Sequence, residues 1–136
     1  MELKQLIKKD TTISVAYPDP DFKDFKIKVA YVSREAMLEI RKQCVTHTYN
    51  KKTRAMEESL DEDKFIEAYV SATIKGWEGF KYKYLAEILP IDISSVDAEE
   101  VLPYSQSNAV MMMQECQTFE AVVGDMLGDI KNFSNA

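Results

Sequence analysis

Gly76-Trp77-Glu78-Gly79-Phe80, in the middle of the chain, is the most informative segment for predicting the fold. An apolar stripe with helical spacing precedes it, so Gly76 is predicted to end a long helix in the left-handed conformation. Trp77 then lies just past the helix end and is expected to anchor that end in the core. Gly79 gives the backbone the freedom to reverse direction. Trp77 and Gly79 are therefore predicted to be structural anchors.

The stripe before Gly76 predicts the most regular helix of the chain. Its members recur at intervals of three and four residues, which places them on one helix face. They are Phe65, Ile66, Tyr69, Val70, Thr73, Ile74 and Trp77. Ser59 and Glu62 stand three positions apart in front of the stripe, as in a capping box. Ser59 is therefore predicted to be the N-cap of this helix.

Two more long helices are predicted after this segment. Ser105, within Pro103-Tyr104-Ser105-Gln106-Ser107-Asn108, has the side chain and position of an N-cap. The stripe that follows holds Ala109, Met112, Met113 and Cys116. Thr118 is the predicted cap of a last helix, with a stripe of Phe119, Val122, Val123, Met126, Leu127, Ile130 and Phe133. Between residues 85 and 91 only one or two short turns are expected.

The N-terminal part alternates apolar and polar residues, which is the strand pattern. Residues 13–17 and 25–31 each alternate in this way, and two prolines in the turn between them favour an antiparallel hairpin. Ser33 is the predicted cap of a first long helix that runs to about His47, and residues 48–56 are predicted to be a loop. Residues 1–12 are polar around a small apolar cluster, so they are predicted to form a fraying helix or a flexible segment.

These elements predict an α+β fold that is mostly helical, with an N-terminal β-hairpin packed on three to four α-helices. A chain of 136 residues is long enough to bury a core without disulfides or metals. One domain is predicted over residues 1–136. It comprises a flexible start at 1–12, the hairpin at 13–32 and a helical part at 33–133.

Composition and charge exclude several classes of partner. The net charge of −6 argues against a nucleic-acid binder, because phosphate contacts need clustered cations. No apolar run of about 18 residues is present, so no membrane partner is expected. The sequence shows no secretory leader, so the protein is predicted to be cytosolic, with Cys44 and Cys116 reduced.

The sequence offers no evident chemistry, so no catalytic, cofactor-binding or metal-binding residues are predicted. His47 is the single histidine, and zinc or iron would need several histidine or cysteine ligands at short spacing. The acidic run at residues 57–63 lacks the glycine and the ligand spacing of a calcium loop. Both features are interpreted as solvated surface.

The last two helices carry more apolar residues than one small core obviously needs. Methionine suits an adaptable binding surface because its side chain is long and flexible. The hypothesis is that part of this region contacts another chain, either a second copy or a different partner. The residues concerned are Met112, Met113, Met126, Ile130 and Phe133. The alternative is that these side chains simply close the core.

Several segments, in this order, resemble one known family. Residues 25–40 form a strand that enters a helix through Tyr31-Val32-Ser33-Arg34-Glu35, and the helix at 65–74 follows. Trp77-Glu78-Gly79 and then Pro103-Tyr104-Ser105 with Asn108 complete the series. This order is similar to that of the tail assembly chaperones of long-tailed phages with non-contractile tails and of their prophages. The resemblance covers residues 20–133.

The resemblance implies a mostly helical, non-enzymatic protein of the host bacterial cytoplasm. It implies binding to the tape measure protein and to the tail tube protein while the tail is built, and absence from the mature virion. Two alternatives stay open. One is a minor tail or head-completion protein retained in the virion, and the other is a small enzyme or regulator with an unfamiliar fold.

Overall fold

The computed structural model describes residues 1–8 and 11–134, and within them it contains seven helices and five strands. The helices are α1 (Leu3–Leu6), α2 (Arg34–Gln43), α3 (Glu62–Thr73), α4 (Tyr82–Ile88), α5 (Gln106–Glu115), α6 (Gln117–Gly128) and α7 (Lys131–Ser134). The strands are β1 (Thr12–Ala16), β2 (Lys26–Ala30), β3 (Val45–Asn50), β4 (Ala55–Leu60) and β5 (Ile74–Glu78).

The prediction of a mostly helical fold, with its strands confined to an N-terminal hairpin, is wrong. Helices hold 45% and strands 22% of the described residues, and the strands form two separate small sheets. β3, β4 and β5 all lie within residues 33–133, the part predicted to be helical. The chain therefore adopts an α+β fold in which strands and helices alternate over the first 78 residues.

A three-stranded antiparallel sheet, in the order β1-β2-β5, supports the core. β1 and β2 form the hairpin that the alternating sequence predicts, with Val15 opposite Ile27. β5 pairs with the other edge of β2 and places Trp77 opposite Ile27, with a register shift between Lys28 and Val29. Ile27 and Val29 are fully buried, whereas Lys28 between them is exposed. This alternation fixes which face of β2 meets the helices.

Helix α5 packs on α3 and on α6, and α3 and α6 pack against this sheet. Together these elements enclose an aromatic core. The Phe25 ring stacks on the Phe80 ring with 4.3 Å between centroids, and Phe80 stacks in turn on Phe119. All three rings are almost completely buried. Burial of each such side chain contributes about 1.5–3 kcal/mol, so this stack is a main source of stability.

The second sheet consists of β3 and β4 alone, paired in an antiparallel hairpin from Val45 opposite Leu60 to Asn50 opposite Ala55. The predicted loop at residues 48–56 is therefore mostly strand, with a four-residue turn at 51–54. Residues 45–50 are rich in β-branched and aromatic side chains, which favour strands. Residues 55–60 have no such preference, and their strand form depends on the partner strand.

Two helices end earlier than predicted because a strand follows each of them. α2 ends at Gln43 rather than near His47, and α3 ends at Thr73 rather than at Gly76. In each case the next residues leave the helix to pair with another strand, β4 after α2 and β2 after α3. Helical spacing in the sequence does not reveal such a pairing, because tertiary context overrides local propensity.

The structure confirms two of the predicted N-caps. The hydroxyl groups of Ser33 and Ser105 each accept a hydrogen bond from the amide three residues later. Ser59 does not cap α3, because it lies in β4, and the carboxylate of Asp61 takes that place. The segment at 1–12, predicted to be a fraying helix or flexible, contains the short exposed α1. Residues 9 and 10 of it lie outside the described part of the chain.

Candidate functional site

The two motifs that carry the family resemblance meet in space. The indole N–H of Trp77 donates a hydrogen bond of 2.8 Å to the carbonyl oxygen of Leu102. The Tyr104 ring stands edge-on to the Trp77 ring, with 5.1 Å between centroids. The Tyr104 hydroxyl donates to the carbonyl oxygen of Ile74 at 2.9 Å. The residues before α5 are thus tied to Ile74 at the start of β5 and to Trp77 near its end.

The chain between the motifs returns along the start of α4. The amide of Leu102 donates to the carbonyl oxygen of Phe80 at 2.8 Å. The Glu99 carboxylate lies 2.7 Å from the Lys83 ammonium and 3.0 Å from the Lys81 ammonium. Hydrogen bonds from Lys83 and Lys81 lower the pKa of Glu99. These contacts bring the Pro103 segment back to Trp77.

The polar residues of the second motif form hydrogen bonds at the N-terminus of α5. The Asn108 amide N–H donates to the Ser105 hydroxyl oxygen at 3.0 Å, and the Asn108 side chain donates to the Pro103 carbonyl at 2.9 Å. The Gln106 side chain donates to the carbonyl of Glu67 at 3.0 Å, which joins α5 to α3. The motif therefore works as a structural cap rather than as a set of free ligands.

Trp77 is an anchor, although not at a helix end as predicted. It lies in β5, is half-buried, and meets the rings of Phe80, Tyr104 and Phe119 edge-on. The backbone at Gly79 has a conformation that requires glycine. Its φ is +72°, and a Cβ placed there would lie 2.1 Å from the carbonyl oxygen of Asp24.

Most of the residues predicted to bind a partner through the last helices are buried in the core. Four of the five proposed residues belong to the core cluster, with 2% to 6% of their surface exposed. They are Met112, Met113, Met126 and Phe133. Ile130 is the exception, since 58% of its surface is exposed between α6 and α7. Of the five, Ile130 alone remains available to another chain in this fold, and its role stays a prediction.

Beside α2, unlike at Ile130, several accessible apolar residues lie together. No residue of α2 is buried within the described structure, and an open groove of about 520 Å³ separates it from α3 and the end of the sheet. The apolar residues of the groove wall come from the N-terminal segment, β2, α2 and α3. They are Ile7, Ala30, Tyr31, Val32, Ala36, Ile40 and Ala72. The sequence predicts this helix but does not reveal that no other element covers it.

The described residues contain no group of three or more histidine, cysteine or acidic side chains that could hold a metal ion. His47 is exposed on β3, and its Nδ1 lies 3.8 Å from a carboxylate oxygen of Glu58. None of the helices in the described part of the chain is both long and apolar enough to cross a membrane. These positions give no second candidate site.

Both cysteines are buried and unpaired. Cys116, rather than the predicted Thr118, is the N-cap of α6, and its sulfur accepts a hydrogen bond of 3.4 Å from the Phe119 amide. Its thiol lies 3.2 Å from the carbonyl oxygen of Ile88 and donates to it. Cys116 thus has a structural role.

The structure therefore offers two features from which to infer a function. One is the pair of motifs, whose residues have structural roles, and the other is the uncovered groove beside α2. Comparisons of the chain with protein-family models, with curated proteins and with solved structures found no match.

Proposed function

We propose that this protein is a non-catalytic tail assembly chaperone of a long-tailed phage. It binds the tape measure protein and the tail tube protein in the cytoplasm of the host bacterium while the tail is built. It is not part of the mature virion. The acidic net charge of −6 suits this role, because it keeps a protein with exposed apolar surface in solution.

The observation that carries the proposal is the resemblance at Trp77-Glu78-Gly79 and at Pro103-Tyr104-Ser105 with Asn108. Two short motifs far apart in a sequence are weak support when they are independent. Here the ring of Trp77 contacts the ring of Tyr104 edge-on, and the Trp77 indole N–H donates to the carbonyl of Leu102, which directly precedes the second motif. The two motifs therefore form one structural unit, which supports the proposal more than two separate matches would.

The groove beside α2 is the surface that we assign to the partner. A tape measure protein is long and helical, and an amphipathic helix is typically held by an apolar groove. Ala36 and Ile40 lie one turn apart on the α2 wall, and Ala72 faces them from α3. Their side chains would pack against the apolar face of such a helix.

Co-expression with the tape measure protein from the same phage genome tests this proposal. We expect the full chain to keep the tape measure protein in the soluble fraction and to co-elute with it. Ala36→Arg puts a long charged side chain into the groove and is expected to weaken capture about tenfold or more, since a buried unpaired charge is costly at an interface. The tail tube protein is tested in the same way.

Leu38→Arg is the matched control for this experiment. Leu38 is on the same helix and is exposed, but it is not among the described residues that line the groove. It should leave capture unchanged. If the wild-type chain captures neither protein although all are folded, the chaperone proposal is wrong. If both variants capture as well as the wild type, the chaperone proposal stands but the groove is not its binding surface.

A further inference from the structure

The β3–β4 hairpin stands apart from the rest of the fold. Each strand pairs only with the other, and none of residues 45–60 is buried in the part of the chain that the structure describes. A two-stranded hairpin alone is only marginally stable in water. Both outer edges of this hairpin also present unpaired backbone groups to another strand. The hairpin is therefore suited to pair with a strand of another chain.

One face of the hairpin is apolar close to its turn. Tyr49 and Met56 are directly opposite each other, with 54% and 62% of their surfaces exposed. Glu58 and His47 form the next pair on the same face, towards the base of the hairpin. Exposed apolar side chains on a strand edge favour pairing with another strand.

The charges on the hairpin are divided along its length. The tip carries Lys51, Lys52 and Arg54, all exposed, whereas the acidic residues follow it, with Glu57 and Glu58 in the middle of β4 and residues 61–63 at the base. Arg54 has a φ of +55°, a conformation that glycine adopts without strain and other residues adopt at a cost. A charged side chain is thus present at the tip although glycine would fit the turn better.

We propose that β4 pairs antiparallel with β4 of a second copy of this chain, about a two-fold axis at Met56. The two hairpins then form one four-stranded sheet. In this register residues 55–57 of the two copies pair, with Met56 opposite Met56 of the second copy. Arg54, the last turn residue before β4, then lies beside Glu58 of the second copy. The symmetry makes the Arg54–Glu58 pair twice, and the apolar side chains form one row across the sheet.

Charge complementarity selects this edge and this register. An axis at Glu57 or Glu58 would put two like carboxylates directly opposite each other, which is destabilising. Pairing through β3, about an axis at its middle, would bring the basic tip onto Arg41 and Lys42 at the end of α2. The axis at Met56 avoids both conflicts and brings the basic tip and the acidic middle of β4 together.

This inference does not depend on the proposed chaperone function, and purified protein alone tests it. Met56→Cys places two thiols at the proposed axis, where opposite Cβ atoms on paired strands are about 4.5–5.5 Å apart. A mild thiol oxidant is expected to link the two copies rapidly. Met111→Cys, on α5 with a similar exposure, is the control and should stay unlinked. The natural cysteines are buried, so the background should be low.

Charge exchange gives the second test, read as molar mass by sedimentation at increasing concentration. The wild-type chain should approach twice the mass of one chain. Arg54→Glu or Glu58→Arg should raise the dissociation constant about tenfold or more, since each creates two repulsive pairs. The double variant Arg54→Glu, Glu58→Arg should restore the dimer. Arg54→Gly should also weaken it while relieving the backbone strain, so that its effect cannot be attributed to unfolding.

Two results would overturn the proposal. One is a chain that stays monomeric at every soluble concentration, with cysteine at position 56 no more reactive than at 111. The other is a dimer that is indifferent to Arg54→Glu and to Arg54→Gly, which would place its interface elsewhere. Capture of the tape measure protein is measured separately, so either result leaves the chaperone proposal to its own test.

Discussion

Gly79→Ala is expected to lower the free energy of unfolding by about 3 kcal/mol or more. Two effects combine at this position. A φ of +72° strains any residue with a Cβ, and that Cβ would lie 2.1 Å from the oxygen and 2.7 Å from the carbon of the Asp24 carbonyl. Asp24 belongs to a tight turn and has itself a φ of +62°. Because the obstacle is backbone, the clash cannot be relieved by a change of rotamer.

Denaturant unfolding followed by circular dichroism measures this effect. Gly124→Ala is the matched control, because Gly124 is in α6 and a Cβ there has no neighbour within 4 Å. Alanine inside a helix should stabilise the protein by about 0.5–1 kcal/mol. If Gly79→Ala unfolds at the same denaturant concentration as the wild type, the described turn at Gly79 is incorrect.

Trp77→Ala is expected to cost about 3–5 kcal/mol, the range for removal of a large aromatic side chain from a packed site. It deletes three edge-on ring contacts and leaves the Leu102 carbonyl without the indole donor. It also separates the two motifs that Trp77 joins. A loss of this size is a large part of the total stability, which is about 5–15 kcal/mol for a natural domain.

Trp77→Phe separates the hydrogen bond from the ring packing and should cost less than Trp77→Ala, with about 1–2 kcal/mol due to the lost donor. Leu38→Ala, an exposed apolar residue, should stay within about 0.5 kcal/mol of the wild type. Unfolding of the three variants is followed by circular dichroism. Tryptophan fluorescence cannot be used, because Trp77 is the only tryptophan and two of the variants lack it. Equal midpoints for Trp77→Ala and Leu38→Ala would mean that Trp77 is a surface residue.

Local patterns were sufficient to predict those elements that local interactions determine. The alternation at residues 13–17 and 25–31 corresponds to β1 and β2, and Ser33 and Ser105 cap helices as predicted. Residues 55–60, Ala-Met-Glu-Glu-Ser-Leu, are different. They have little strand propensity, and they are a strand because β3 is beside them. Such a pairing is not visible in a single sequence.

The continuous stripe through Trp77 misled the prediction for the same reason. Ile74 and Trp77 have helical spacing with α3, yet both lie in β5, which pairs with β2. Gly76, interpreted as a helix terminator, is a strand residue opposite Lys28. A glycine within an apolar stripe was a sign that the helix ended earlier.

The residues predicted to bind a partner were misassigned because the size of the core could not be judged from the sequence. Met112, Met113, Met126 and Phe133 were interpreted as more apolar residues than one small core needs. The prediction had no strand β5, and the sheet with three strands provides more apolar surface to cover. The core therefore uses these side chains. The groove beside α2 and the β3–β4 hairpin are exposed because no other element packs on them. Only the tertiary structure shows which elements lack such a neighbour.

A chaperone that assists tail assembly and then leaves should be present in infected cells and absent from the finished particle. Quantitative mass spectrometry compares infected-cell lysate with purified virions of the phage that encodes the chain. We expect the protein to be abundant in the lysate and absent from the virions, whereas the tail tube and tape measure proteins are present in both. A constant number of copies per purified virion would contradict the chaperone proposal and identify a structural component of the particle.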